Sequence, residues 1–594
     1  MSHYKVNTSD IFFILKEQLR YGDLCKLERY RGLNEKALDM VVQEAIALAK
    51  GRLAPLQEIG DRQGVTFEGG KVSCPTAFRE VFKEFGEGGW VAVSRDPRYG
   101  GMGFPHMMRI VVNDFMYGAC QAFNMCSSLT HGAAHLIETF ATDDLKERFV
   151  PKMYGGRWSG TMSLTEPDAG SDLGAIQTTA FREESRFRIK GSKIFISWGE
   201  HDLAENIIHL VLARVEGAPQ GTRGLSLFIV PKRRLNPDGS PGEANDVLCT
   251  RVEEKLGLHG SPTCALSFGA GDRCEAYLCG EENRGLAHMF QMMNAARINS
   301  GVSGMTLGST AYQNALSYAR ERVQGADLAG EASGPVPIIQ HPDVRRMLLW
   351  MKTMVDGMRS MIYSGAFWSD LAWELPAGQE KAHYQNLTDF MTPIIKAYCS
   401  EMGFRVCEMA IQCLGGYGYC KDYPLEQYLR DVKIMSLYEG TTGIQSMDLL
   451  GRKMRVGNGA PYRAYTRALQ NFLDTHEAHP ALRVEVQDLA NAAGKLSRAA
   501  RILREMRASD PRRWGSRTYP ALRCFGELTM AWRLLDMALA AERAIKQGKK
   551  TDFYRGKILQ ARYFVREILP LTRARLEACI RGGKEIVDMP PEAF

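Results

Sequence analysis

The spacing of apolar residues changes twice along this chain, and those changes limit the fold more than any other feature. From residue 1 to about 158 the period is helical. In 35–50, Leu38, Val41, Val42, Ala45 and Ala49 share one face, and the Pro- and Gly-punctuated segment 95–105 breaks the pattern. Between about 159 and 280 the period drops to two. Phe187 and Ile189, then Ile194 and Ile196, alternate, while 206–215 and 224–232 are β-branched runs bounded by turn residues. NPDGSPGEAND (236–246) reads as a surface loop between strands. Helical spacing returns near Arg284, and Val344, Leu348, Met351, Val355 and Met358 form a core-facing stripe. After VGNGAPY (456–462), a second helical block carries Leu489, Ala493, Leu496, Ala500, Leu503 and Met506 on one face. The expected fold is α+β and multidomain. An N-terminal helical domain (1–158) precedes a middle antiparallel β domain (159–280), a helical domain (281–455) and an additional basic helical domain (456–594).

At 45% hydrophobic and 24% charged residues, the 594-residue chain has ordinary globular composition, which excludes a disordered or fibrous protein. Its net charge of +7 is unevenly spread. Residues 451–594 hold 28 Lys and Arg against 15 Asp and Glu, leaving 47 against 53 for the first 450. Such a block suits an anionic ligand, a membrane surface or an acidic partner, and equally a solvated Arg-rich helical surface. A long uncharged run, Ile298 to Ala319, is rich in Ser, Gly, Asn and Thr, so it reads as a buried helix and not a membrane span. Gly304 and Gly308 within it mark a tight helix contact. The first residues lack the pattern of a secretory leader, and 14 cysteines without a CxxC pair read as reduced thiols. A cytoplasmic protein is expected, with no nucleic-acid partner and no transmembrane segment.

Two clusters could carry chemistry. In SLTEPDAGSDLG (163–174), small residues let main-chain N–H groups approach a ligand, and Thr165 and Ser171 add hydroxyls. By spacing alone it is as readily a plain loop. Neither GxGxxG nor GxxxxGK[ST] is present, so a Rossmann or Walker phosphate site has no support. The second cluster, 429–453, sets Glu439 between Tyr438 and Gly440 where one helical stretch closes. Thr441 and Thr442 are N-cap residues for the next, through Ile444, Met447 and Leu450. Taken alone, Glu439 is either a buried carboxylate facing a substrate or a cap or ion-pair partner. The 12 histidines form no HxxxH pattern with a carboxylate between them, so no metal is expected.

With three further motifs in fixed order, these clusters resemble the acyl-CoA dehydrogenases, flavoenzymes that desaturate acyl-CoA thioesters. The motifs are TEPDAGSDLG (165–174), GSKIFISWGEHD (191–202), MMNAARINSG (292–301) with ARER (319–322), IQCLGGYGYCKDYPLEQYLRD (411–431) and LYEGTTGIQ (437–445). EIGDRQG (58–64), EKLGLHGSPTC (254–264) and IIQHPDVRRML (338–348) resemble the large bacterial branch that holds the 3-(methylthio)propanoyl-CoA dehydrogenases and has an added C-terminal helical domain. The likeness spans nearly the whole sequence. It implies a barrel-like middle domain and a four-helix bundle over 281–455.

The resemblance also implies a reaction: FAD-dependent α,β-dehydrogenation of an acyl-CoA to the trans-2-enoyl-CoA, with electrons passed to an electron-transfer flavoprotein. Glu439 matches the base that takes the α proton, while flavin N5 accepts the β hydride. The thioester oxygen is polarised in such enzymes by a flavin ribityl hydroxyl and the main-chain N–H of the base. Met162, Leu164, Thr165, Ser171, Phe195, Ile196 and Ser197 match flavin-ring and phosphate contacts. Arg322 and Gln340 match the diphosphate and adenosine end, with Gln412 and Gly416 supplied by the neighbouring chain of a homodimer or tetramer. Thr441 and Gly443 close the site behind the base. Ser171, Asn294, Arg297, Glu439 and Gly440 match the substrate side. Trp198 and Gly443 depart from the pattern of some relatives, which leaves the acyl chain open. An acyl-CoA oxidase using O2 on the same fold and a non-catalytic flavin- or CoA-binding scaffold are the alternatives.

Overall fold

The computed structural model describes residues 4–184, 186–549 and 551–594. They divide into two compact units, one of Tyr4 with 39–296 and one of 5–38 with 297–594.

In the first unit, helices α1 (Glu35–Leu48, from residue 39 onward), α2 (His106–Ala119), α3 (Gln121–Phe140) and α4 (Asp143–Tyr154) precede eight main strands. These are β1 (Trp158–Ser163), β2 (Thr179–Glu183), β3 (Arg186–Ser197), β4 (Asn206–Val215), β5 (Leu225–Pro231), β6 (Val247–Val252), β7 (Thr263–Phe268) and β8 (Glu275–Leu278). The sheet order is β6–β7–β3–β8–β5–β4–β1. Because β2 pairs with both β3 and β4, the strands β3, β8, β5, β4 and β2 close a ring. Strand periodicity then makes two cores from one run of sequence. Along β4, Ile208, Leu210 and Leu212 join a cluster with Phe149, Trp158 and Met292 on the helical side. Val211, Ala213 and Val215 face the other way, into the ring with Phe187, Phe228 and Phe268.

Two expectations need correction here. The sheet is not wholly antiparallel: β1 and β2 each pair with β4 in parallel. Neither pair is joined by a tight hairpin, so the long excursions between them leave direction to tertiary packing. The segment 236–246 is also not all loop, since Pro241–Ala244 pairs with Arg233–Leu235 as a short hairpin.

In the second unit the long helices are α5 (Gly285–Glu321, from residue 297 onward), α6 (Pro342–Glu374) and α7 (Gln379–Leu414), with the shorter α8 (Leu425–Val432) packed on α7. The small-residue step in α5 works as expected. A Cβ on Gly304 would lie 2.6 Å from the Cys399 carbonyl oxygen, and one on Gly403 would collide with the Gly304 carbonyl. Among the described residues, no helix is long and apolar enough to cross a membrane.

Residues 5–38 belong to the second unit. Buried Asp10 draws this segment there, through Lys352 at 2.8 Å and Lys557 at 2.5 Å, and Tyr30 donates to Asp370 at 3.1 Å. Residues 456–594 share that unit. Of their helices α10 (Val456–His476), α11 (Arg483–Ser509), α12 (Pro511–Lys546), α13 (Asp552–Tyr563) and α14 (Leu569–Arg581), α10, α12 and α13 pack on α6 and α7, while α11 and α14 pack on α12. Trp532 stacks on Trp368 at 5.8 Å and Tyr465 lies 5.0 Å from Phe390. Part of the basic block is paired in place: Arg523 and Arg575 flank buried Glu527, and Arg562 and Arg566 flank buried Glu485.

Candidate active site

In the first unit, the loop after β1 is held by a buried ion pair. Lys193 of β3 is fully buried; its ammonium donates to the Leu164 carbonyl at 2.9 Å and to Glu166 Oε1 at 2.8 Å. The Thr178 amide donates to the same oxygen at 3.0 Å and the Gln177 amide to Oε2 at 2.7 Å. Burial opposes the charge on Glu166, but Lys193 and these donors outweigh it and hold the carboxyl below its ordinary range. Lys193, with no exposed surface, is pushed down to about 8 by burial despite its partner. Alongside, the Ile194 amide donates to the Thr165 carbonyl at 2.9 Å, so the loop is strapped to β3 on both sides of Leu164 and Thr165.

β3 ends in a bulge. Its pairing with β7 slips between Lys193 and Ile196, and Phe195 takes a left-handed φ of 57°. Within the bulge the alternation changes parity: Phe187 and Ile189 point into the ring core, and so does Ile196. Phe195 is thereby turned outward and left 60% exposed, unusual for a Phe beside a buried Ile196 and a buried Trp198. Trp198, also at positive φ, spends its indole N–H on the Ala122 carbonyl at 3.2 Å. Met162, Thr165 and Ser197 are half-buried, Leu164 is buried, and Ser171 stands exposed in the loop. Asn294 is half-buried on α5.

In the second unit, Glu439 sits on the turn before helix α9 (Thr442–Met447). Thr441 caps that helix, its hydroxyl accepting from the Ile444 amide at 3.3 Å. Gly440, at φ 73°, packs against Gln445, which donates to its carbonyl at 3.1 Å; a Cβ there would collide with the Gln445 amide. Arg297 of α5 is buried and reaches Glu439 Oε1 at 3.2 Å, with Asp448 behind it at 3.9 Å. The other carboxylate oxygen, Oε2, is shielded from solvent and has no hydrogen-bond partner within the protein. Gly443 meets nothing closer than Thr441 Oγ1 at 3.8 Å, so space is open beside it.

Arg322, Gln340, Gln412 and Gly416 form a separate, exposed set in this unit. The Ile338 amide donates to the Arg322 carbonyl at 2.8 Å, which keeps Arg322 and Gln340 close. Tyr318, one turn before Arg322, meets Tyr417 at 6.3 Å and Tyr423 at 5.8 Å, so the end of α5 lies beside the glycine turn that follows α7. The sequence reading missed this tyrosine cluster and the Lys193–Glu166 pair. The aromatic spacing in GYGYCKDY was a usable signal; nothing near the lysine was.

Comparison with known proteins bears on the whole chain. Family models described as the acyl-CoA dehydrogenase N-terminal, middle and C-terminal domains match residues 35–157, 161–270 and 283–454. A model described as acetyl-CoA dehydrogenase C-terminal like matches 465–590. The chain is 37% identical to a 3-methylmercaptopropionyl-CoA dehydrogenase of Ruegeria pomeroyi, over 95% of this chain and 96% of that protein. It is 36% identical to a butyryl-CoA dehydrogenase of Syntrophomonas wolfei over the full length of both. A crystal structure of a Bacillus anthracis acyl-CoA dehydrogenase complexed with FAD shares the fold, with a TM-score of 0.74 at 20% identity over 96% of this chain and 91% of that one.

Proposed function

Since the chain belongs to the acyl-CoA dehydrogenase family of flavin oxidoreductases, we propose that it converts a short-chain acyl-CoA, sulfur-containing chains included, into the trans-2-enoyl-CoA, with Glu439 taking the α proton. The observation that carries this reading is the state of Glu439. One oxygen is anchored by Arg297 at 3.2 Å, and the other is dehydrated and unpartnered, which is what a base needs to receive a proton from carbon. The preference for short chains rests on the R. pomeroyi and S. wolfei relatives.

The residues present fit FAD. An outward Phe195 ring offers a flat apolar face, and Thr165, Ser171 and Ser197 offer hydroxyls. Bound FAD supplies the acceptor for the β hydride. Met162, Leu164, Thr165, Ser171, Ile196 and Ser197 would hold the ring side and Arg322 and Gln340 the diphosphate end, with Gln412 and Gly416 given by a second copy in a homodimer or tetramer. Thr441 and Gly443 close behind the base, and the Glu439 amide donates to the thioester oxygen as negative charge gathers there. Ser171, Asn294, Arg297 and Gly440 position the substrate. Electron-transfer flavoprotein is the proposed electron acceptor and the cytoplasm the proposed site of action.

Anaerobic titration of the flavin-loaded enzyme with a panel of acyl-CoA thioesters tests the reading. Short-chain and 3-(methylthio)propanoyl thioesters are expected to bleach the oxidised-flavin absorbance. A bound flavin that no member bleaches would overturn it. Lys193→Met bears on the flavin loop, because it leaves the Leu164 carbonyl without that donor and the Glu166 carboxylate without its counter-ion in a dry site. An unpaired buried acceptor costs about 1–3 kcal/mol, so FAD affinity should fall about 10–100-fold, read from the fluorescence of released flavin. Unchanged retention would separate the ion pair from the flavin site.

A further inference from the structure

None of the residues assigned above to flavin or substrate lines the cleft between α10 and α11. This cleft encloses about 300 Å³ and is floored by Leu528 of α12. Leu469 and Leu473 line it from α10, and Ala490, Ala493 and Gly494 from α11. Packed helices normally fill such a space with side chains and leave few voids larger than a water molecule. Here the facing residues of α11 are too small to do so, and a Cβ on Gly494 would meet nothing within 4 Å.

The polar groups of the wall are spent inside the protein. Tyr465 shares a hydrogen bond of 3.0 Å with Thr529, Thr466 donates to the Tyr462 carbonyl at 3.1 Å, and Gln470 donates to Asp474 at 2.7 Å. Tyr462 is hydrogen-bonded to Ser497 across the cleft. Whatever enters between these groups meets an apolar wall. The charge gathers at one end. Beyond the Tyr462–Ser497 pair, Arg501 and Arg504 continue the same face of α11, one and two turns past Ser497. Arg463 adjoins Tyr462 and donates to the Gly457 carbonyl at 3.3 Å, while Arg455 and Arg507 both donate to the Gly451 carbonyl oxygen at 2.6 Å. Glu505 pairs with Arg501 at 3.2 Å, and among the described residues the other four arginines have no carboxylate partner.

Volume and charge together select the occupant. One turn of helix with its side chains fills about 400 Å³, so the cleft excludes a partner helix, whereas an extended aliphatic chain fits it. The arginines at its end call for an anionic head. We propose that this cleft binds a fatty acid anion, with the chain between α10 and α11 and the carboxylate at the end marked by Arg463 and Arg504.

Calorimetric titration of the full-length, FAD-loaded enzyme with octanoate, decanoate and dodecanoate, each below its micelle concentration, tests this. Binding should tighten about tenfold for each pair of methylenes added. Gly494→Phe fills the cleft and should weaken dodecanoate about tenfold or more, with flavin reduction by acyl-CoA unchanged. Arg463→Gln combined with Arg504→Gln should weaken dodecanoate about tenfold and leave the uncharged dodecanol as in the wild type. Affinity that ignores chain length, dodecanol binding as tightly as dodecanoate, or unchanged binding to Gly494→Phe would each overturn the proposal. A second measurement needs no variant. Dodecanoate carrying a diazirine at its methyl end, photolysed on the wild-type enzyme, should label peptides within 462–473 or 490–497. Label found only elsewhere, as beside Glu439, would overturn the proposal even if the variants failed to fold.

Discussion

Glu439→Gln is expected to slow flavin reduction by acyl-CoA about 1000-fold while leaving the oxidised-flavin spectrum and acyl-CoA binding close to wild type. The amide is the same size, it can still meet Arg297 at the position of Oε1, and it cannot accept a proton from carbon. A positioned general base is worth about 10²–10⁴ in rate, which sets the scale. Because Oε2 has no partner in the protein, its replacement breaks no internal hydrogen bond, so the loss should fall on the chemical step and not on folding. Stopped-flow absorbance at the flavin band separates the two: binding amplitudes persist and the bleaching phase disappears. Reduction at more than a tenth of the wild-type rate would remove Glu439 from the role.

The largest expected effect on stability lies far from that chemistry. Lys557 of α13 donates to Asp10 at 2.5 Å and to Asp356 at 2.8 Å, and Lys352 reaches the same two carboxylates at 2.8 and 3.1 Å. Asp10, Asp356 and Lys557 are each within 2% of complete burial. Lys557→Met leaves two buried carboxylates facing one ammonium, and breaking a buried pair from one side costs about 3–5 kcal/mol. The denaturant midpoint of the second unit should fall accordingly, and protease should gain access to 5–38 first. Adding Asp10→Asn to Lys557→Met should recover part of the loss by restoring neutrality. A midpoint within about 0.5 kcal/mol of wild type would show that the network contributes nothing net.

The same network gives the acid limb of stability a definite sign. Burial raises the proton affinity of Asp356, but Lys352 and Lys557 outweigh it and hold this carboxyl below its ordinary range. Its stabilisation is therefore complete above the unfolded aspartate value of about 3.9 and is lost as pH falls below it. The difference between wild type and Lys557→Met should shrink below about pH 4.

Much of the site could be read before any coordinates because it lies in short, contiguous motifs. The Thr441 cap and the turn at Gly440 are local events, governed by hydroxyl chemistry and by tolerance of positive φ, and they place Glu439 without help from distant residues. The parity change in β3, from Phe187 and Ile189 to Ile196, was visible as an irregular alternation, but its consequence was not. Turning Phe195 outward depends on where β7 pairs, about 70 residues later in the chain.

What the sequence by itself determined is the series of elements, the family and the turn that carries Glu439, since periodicity, capping and turn chemistry act over a few residues. Only the tertiary structure decided which charges are buried and what they face. Lys193 and Lys557 look in sequence like any solvated lysine. Burial makes each consequential, because removing water raises the cost of an unpaired charge and the reach of a paired one together. The partners lie 27 residues away for Lys193 and 547 for Lys557. The assignment of 5–38 to the second unit and the parallel pairing of β1 with β4 have the same origin. Both join segments that no local rule connects, and packing selects them once the local elements have formed.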